Sequence, residues 1–210
     1  MTIKSKIFLV LIFLLKSILF FPFCLVLLNH ENKVEPEPWL INHGDFDHVY
    51  LGGDSAGGNI VHNIAMRTGM EPLNCGIKIT GAFLSFPYFL GSEPIGSEPI
   101  ENHRESLLYR FWMLAYPNAL GGIDNPMINP WAPGGPDLAR IGCGRLFVCI
   151  GEKDNLRERG FRYCEALRES GWKGELEFVE VEGEDHIFHI FKPHSDKAKS
   201  LIKRMASFIV

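Results

Sequence analysis

Gly52-Gly53-Asp54-Ser55-Ala56-Gly57-Gly58-Asn59 is the stretch on which the reading of this chain turns. Gly53 and Gly57 flank Ser55 at the spacing G-x-S-x-G. The β-favouring run His48–Gly53 leads into it, and Gly57–Arg67 leaves it with helical periodicity, Ile60, Val61, Ile64 and Ala65 sharing one face. A strand, a tight glycine turn and a helix together lift a nucleophilic hydroxyl clear of a sheet. The helix N-terminus behind Ser55 favours developing negative charge, and the Ala56 N–H can donate to an oxyanion. A phosphate loop would call for G-x-G-x-x-G or Gly-Lys-Ser/Thr, and neither stands here. The competing reading is a glycine-rich turn with a purely structural role.

A serine hydroxyl needs a base, and the base needs an orienting carboxylate. Both are expected beyond the ends of later strands, acid before base. Arg145–Ile150 reads as a buried strand and is followed by GEKDN, which offers Glu152 and Asp154. Glu175–Val181 alternates as a strand and is followed by EGEDHIFHIF, which offers His186 and His189. Asp154 is favoured because it lies deeper in its loop. His186 is favoured because it comes first off its strand, whereas His189 sits in the apolar stretch 187–191.

Strand and helix signals alternate outward from the serine turn. Ile77–Ser85 reads as a strand, Arg104–Tyr116 as an aromatic-rich helix, Leu156–Ser170 as a helix closed by Gly171, and Asp196–Ile209 as a terminal helix capped by Ser195. Gly69 suits the C-terminal cap of the first helix. The tandem GSEPI-GSEPI within 91–102 reads as a flexible loop. The expected fold class is α/β, a mostly parallel sheet of four strands with flanking helices.

The first 28 residues differ. Ile7–Leu28 is apolar apart from Lys16 and Ser17, with Lys4 and Lys6 before it. It has the length of a membrane anchor, although a lysine near the middle costs roughly 3 kcal/mol on insertion. It has the positive start of a secretory signal but no small-x-small cleavage site. Translated non-coding sequence would have the same Phe, Leu and Ile bias. Residues 29–38, NHENKVEPEP, read as a linker, and 39–210 as the folded domain.

The net charge of −4 is unclustered and no Lys/Arg run is interleaved with aromatics, which argues against nucleic acid as a partner. The eight histidines and five cysteines lack metal-ligand spacing, so no metal or other cofactor is called for. An odd cysteine count without C-x-x-C reads as buried free thiols in a reducing compartment.

From Pro38 onward the chain resembles the plant carboxylesterases of the hormone-sensitive-lipase-like α/β-hydrolase group. The matching stretches are PWLINHGDFDHVYLGGDSAGGNIVHNIAMR, DNPMINPWAPGG, GRLFVCIGEKDNLRERG and GEDHIFHIF. The resemblance implies a carboxylic-ester hydrolase acting on a small-molecule ester, with Ser55 as nucleophile, Asp154 as acid and His186 as base. It implies a cytoplasmic protein, membrane-associated or secretory only if residues 1–28 are genuine. It also implies that 104–116 helps cover the acyl pocket, with Phe111 and Trp112 as lining, where a helix simply packed on the sheet is the alternative.

One family element is missing. The H-G-G-G loop that completes the oxyanion hole is absent, since His43-Gly44 is followed by Asp45. The expectation is therefore an N-terminally truncated esterase, weak or inactive, whose elbow strand His48–Gly53 has one unpaired edge open to aggregation. Three alternatives stand beside it. A non-catalytic membrane-tethered remnant would keep the motif by descent. A 2-hydroxyisoflavanone dehydratase-like lyase would differ at the oxyanion loop. A gibberellin receptor is disfavoured because His186 is present.

Overall fold

The computed structural model describes residues 5–12, 42–71, 73, 77–101 and 103–209. Its centre is a five-stranded parallel sheet. The strands are β1 (Ser5–Ile12), β2 (Gly44–Asp54), β3 (Ile79–Ser85), β4 (Cys143–Gly151) and β5 (Glu175–Val181), and they lie side by side in chain order. The helices are α1 (Ala56–Met70), α2 (Leu107–Ala115), α3 (Arg157–Glu169), the single turn α4 (Phe188–Phe191) and α5 (Asp196–Ile209).

Parallel strands in sequential order, joined by right-handed crossovers, send their connections over the same face of the sheet. Strand side chains alternate between the two faces accordingly. On one face Leu51, Ala82, Leu84, Leu146 and Val148 pack with Val61, Ala65 and Met66 of α1 and with Tyr163, Cys164 and Leu167 of α3. On the other, Tyr50, Phe83 and Phe147 meet Ala198, Leu201 and Phe208 of α5. A third cluster, Tyr88, Leu90, Trp112, Ile123, Ile128 and Leu156, lies under α2.

Two expectations need correcting here. Four strands were expected, with His48–Gly53 exposed along one edge. Instead β1 pairs with β2, and after a bulge at Lys6/Ile7 it aligns Ile7–Ile12 with Val49–Asp54. An uninterrupted apolar run is what a parallel strand requires, and hydropathy alone does not separate it from a signal or anchor. The remainder of that run and the 29–38 linker lie outside the described residues. Among the described residues no helix is long and apolar enough to cross a membrane.

The second correction concerns Gly69, which does not cap α1. The helix continues to Met70 and its C-cap is Glu71, whose N–H donates to the Arg67 carbonyl. Gly69 lies inside the last turn because a β-carbon there would stand 1.7 Å from the Arg140 carbonyl oxygen and 2.7 Å from the Gly142 nitrogen. The glycine permits a close crossing and does not end the helix.

Elsewhere the elements follow the sequence closely. The terminal helix begins at Asp196, and the Ser195 hydroxyl accepts from the Ala198 N–H at 3.2 Å. The GSEPI tandem is irregular, as expected of a loop, but it is tied down. The Arg159 guanidinium spans both carboxylate oxygens of Glu98 at 2.6 Å and donates to the Glu93 carbonyl at 2.7 Å.

Candidate active site

The chemistry-bearing side chains collect where β2, β4 and β5 end. Ser55 follows the last residue of β2 and takes φ 57° and ψ −117°, a conformation that glycines on both sides make possible. A β-carbon at Gly53 would lie 2.3 Å from the Gly57 carbonyl carbon, so the turn closes only because that position is bare. The Ser55 N–H donates to the Ser85 carbonyl at 2.8 Å, and its own carbonyl accepts from Asn59 and Tyr88. Backbone bonds thus fix the serine from three directions and leave its side chain half-buried.

His186 Nε2 stands 2.9 Å from Ser55 Oγ, and His186 Nδ1 stands 2.8 Å from Asp154 Oδ2. A carboxylate only accepts, so Nδ1 carries the proton and Nε2 is left as acceptor for the serine hydroxyl. Asp154 Oδ1 accepts from the Leu156 N–H at 2.9 Å, which fixes the carboxylate plane. The Asp154 side chain is 2% exposed while that of His186 is 28% exposed, so the carboxylate is sealed and the imidazole is partly open to solvent. Two backbone bonds join the Asp154 loop to the His186 loop: Glu152 N–H to Val181 and Lys153 N–H to Glu184.

Of the residues weighed against these, Glu152 turns to the Gly183 N–H at 2.6 Å. His189 is buried, with Nε2 3.1 Å from Asp54 Oδ1. Ser55, Asp154 and His186 are therefore brought together, and Glu152 and His189 stand outside that chain of contacts. Ala56 opens α1, and its N–H is among the first four that an α-helix leaves without an internal acceptor.

Backbone strain is concentrated at the same place. Among the described residues the non-glycine positions with positive φ are Ser55, Phe86 (50°) and Ile187 (42°). Phe86 follows β3 immediately beside the serine turn, and Ile187 follows the histidine. A β-branched residue in that region is an outlier, and each such residue costs about 1–3 kcal/mol that the surrounding packing must hold.

The described cysteines are poor candidates for a nucleophile. Burial pushes the thiols of Cys143, Cys149 and Cys164 up to about 12, so they stay protonated at neutral pH.

Trp112 and Phe111 are less simply placed. Trp112 is buried, and its indole N–H donates to the Gly122 carbonyl at 2.9 Å. It lines a groove of about 670 Å³ between α1 and the 126–138 segment; Phe111 and Ser55 are not part of that lining. Leu108, Tyr109 and Met113 of α2, and Ala56 next to Ser55, are partly buried against the cluster that contains Tyr88 and Leu156. Tyr88 donates its O–H to the Leu108 carbonyl, and burial raises its phenol above the ordinary tyrosine value. Sequence reading passed over Tyr88, although its position just beyond the end of β3 is the same kind of signal that marked Asp154 and His186.

A family model described as the α/β hydrolase fold matches residues 25–190. The chain belongs to the α/β-hydrolase fold family. A 2-hydroxyisoflavanone dehydratase from Glycyrrhiza echinata is 50% identical over 182 residues, covering 87% of this chain and 56% of that protein. A probable carboxylesterase 2 from Arabidopsis thaliana is 42% identical over 173 residues, covering 82% of this chain and 54% of that protein. The chain thus spans about half the length of the curated relatives it matches. Among solved structures, a fungal esterase from Rhizomucor miehei superposes with a TM-score of 0.62 at 17% identity, over 81% of this chain and 55% of that one. The hydrolase fold seen here accordingly represents part of the architecture those proteins carry.

Proposed function

We propose that this chain is a carboxylic-ester hydrolase that works through a covalent acyl-enzyme on Ser55. The observation that carries the reading is the unbroken contact chain Ser55 Oγ–His186–Asp154, at 2.9 and 2.8 Å. Ser55 Oγ attacks the ester carbonyl as His186 Nε2 takes its proton. The Ala56 N–H stabilises the oxyanion of the tetrahedral intermediate. His186 returns the proton to the leaving alcohol, and water, deprotonated by His186, then attacks the acyl-enzyme and releases the acid. Asp154 holds the imidazole in the Nδ1–H form and stabilises the imidazolium. The sequence contains no H-G-G-G, and loss of one oxyanion donor lowers turnover by about 10²–10³. These 210 residues by themselves are expected to turn over small esters slowly.

A fluorophosphonate probe, together with short-chain p-nitrophenyl esters, tests this on the 210-residue chain. The parent is expected to label at Ser55 and to hydrolyse the esters slowly, and Ser55→Ala to do neither. A Ser55→Ala protein that hydrolyses as well as the parent removes the reading.

A second reading has its own support. Two relatives named as 2-hydroxyisoflavanone dehydratases, from Glycyrrhiza echinata and Glycine max, are 50% and 49% identical. On that reading the same site eliminates water from a 2-hydroxyisoflavanone. Incubation with that compound, followed by mass spectrometry for a product one water lighter, separates the two.

A further inference from the structure

The reaction scheme leaves unused two buried titratable side chains that lie directly beneath it. Asp54 immediately precedes the nucleophile, and His189 lies three residues after the base. Their side chains are 8% and 9% exposed, with Nε2 and Oδ1 3.1 Å apart. The approach is close but poorly aligned. Asp54 Oδ1 and His189 Nδ1 are both buried with no hydrogen-bond partner among the described residues. Native interiors rarely leave buried polar atoms in that condition, and each instance calls for an explanation.

Phe86 supplies the connection to the base. The His189 ring stacks on the Phe86 ring at 5.6 Å and 16°, and the His186 ring meets the same phenyl edge-on at 5.8 Å and 80°. Phe86 has little freedom to relax, since its φ is 50° and its N–H donates to the Cys149 carbonyl at 2.8 Å. The serine turn and the histidine loop are therefore tied twice. One tie is Ser55 to His186. The other is Asp54 to His189, with Phe86 wedged between the two imidazoles.

We propose that Asp54 and His189 are positioning residues, a buried carboxylate–imidazole contact that sets the plane of the His186 imidazole through Phe86 and holds the serine turn at its working distance. This rests on the reading of Ser55 as nucleophile and His186 as base. Neither Asp54 nor His189 touches the reacting atoms. Their effect is exerted on the orientation of His186, and a shift of the order of 1 Å in such a group costs roughly 10²-fold in rate.

The test uses the full chain with ¹⁵N-labelled histidine and three variants, Asp54→Asn, His189→Leu and His189→Gln. Two quantities are read: the His186 nitrogen shifts, which report the Nδ1–H form and its bond to Asp154, and the rate of fluorophosphonate labelling at Ser55. Asp54→Asn and His189→Leu are expected to move the His186 shifts toward a mixture of tautomers and to slow labelling at least tenfold. His189→Gln keeps an amide donor within reach of Asp54 and is expected to recover labelling to within about threefold of the parent. A folded His189→Leu with parent-like shifts and labelling overturns the proposal. Equal losses in the Leu and Gln variants overturn it too, because bulk and ring stacking would then be the whole effect. If His189→Leu does not fold, the isosteric Asp54→Asn decides on the same two readouts. Altered His186 shifts in proteins that never label at Ser55, the parent included, would keep the positioning pair and remove the hydrolase reading.

Discussion

His62 is closed off from water on the inner face of α1, and its Nδ1 lies 3.0 Å from the Tyr163 hydroxyl. Burial lowers its pKa from 6.5 to about 3, since a charged imidazole loses its hydration there and gains no opposite charge in return. The unfolded chain therefore binds a proton on this residue between about pH 6.5 and 3 that the folded chain refuses. Stability is fully present above pH 6.5 and falls as the pH drops through that window, by about 1 kcal/mol per pH unit. Urea midpoints measured from pH 7 to 4 are expected to fall less steeply for His62→Gln than for the parent. For Asp154→Asn the expectation concerns rate: a loss of about 10⁴ in acylation with the fold unchanged, because an amide favours the wrong imidazole tautomer. Stopped-flow labelling with the fluorophosphonate checks it. Ser55, Asp154 and His186 were legible in the sequence because each falls just past a strand in the order the fold requires. The Asp54–His189 pair was not. Its significance depends on burial and on ring contact through Phe86, which sequence spacing does not encode.

The two copies of GSEPI show how far identical local sequence underdetermines an element. Glu93 offers Arg159 only its carbonyl and is exposed, while Glu98 in the second copy pairs with Arg159 through its carboxylate, the two side chains 6% and 1% exposed. Glu93→Gln is expected to leave the melting temperature unchanged. Glu98→Gln leaves a buried guanidinium without its counter-charge and is expected to cost about 3–5 kcal/mol. Limited proteolysis within 91–102, alongside calorimetry, distinguishes them. At the end of α1, Gly69 offers a test in which the usual rule reverses. Replacing a mid-helix glycine with alanine ordinarily stabilises by about 0.5–1 kcal/mol. Here the added methyl meets the Arg140 carbonyl, and Gly69→Ala is expected to destabilise by about 1–3 kcal/mol, read from denaturant midpoints. Periodicity located both helix ends to within a few residues. The backbone crossing that explains Gly69 involves residues some seventy positions away, and no local pattern announces it.

The sheet carries helices on both faces, and α5 reaches the second face with one aromatic cluster. The Phe208 ring meets Tyr50 at 6.0 Å and Phe147 at 5.7 Å, the Arg145 guanidinium lies 4.7 Å from its centroid, and Arg145 also donates to the Phe208 carbonyl at 2.8 Å. Phe208→Ala is expected to cost about 3–5 kcal/mol in equilibrium unfolding. The parallel α/β architecture was readable because buried strands and amphipathic helices alternate along the chain. The first strand was not, since the apolar run from Ile7 onward fits a parallel sheet and a lipid bilayer equally well.

Strand order that follows chain order has a consequence during synthesis. Ser55 and His186, in contact in the finished site, are separated by 131 positions in the chain. At ribosomal speeds of about 5–20 residues per second, that interval lasts roughly 7–26 s. Throughout it the emerging polypeptide carries the serine turn without the His186 imidazole that meets it in the finished fold. On the proposed reading, a translation product interrupted before His186 carries a serine hydroxyl with no base in reach.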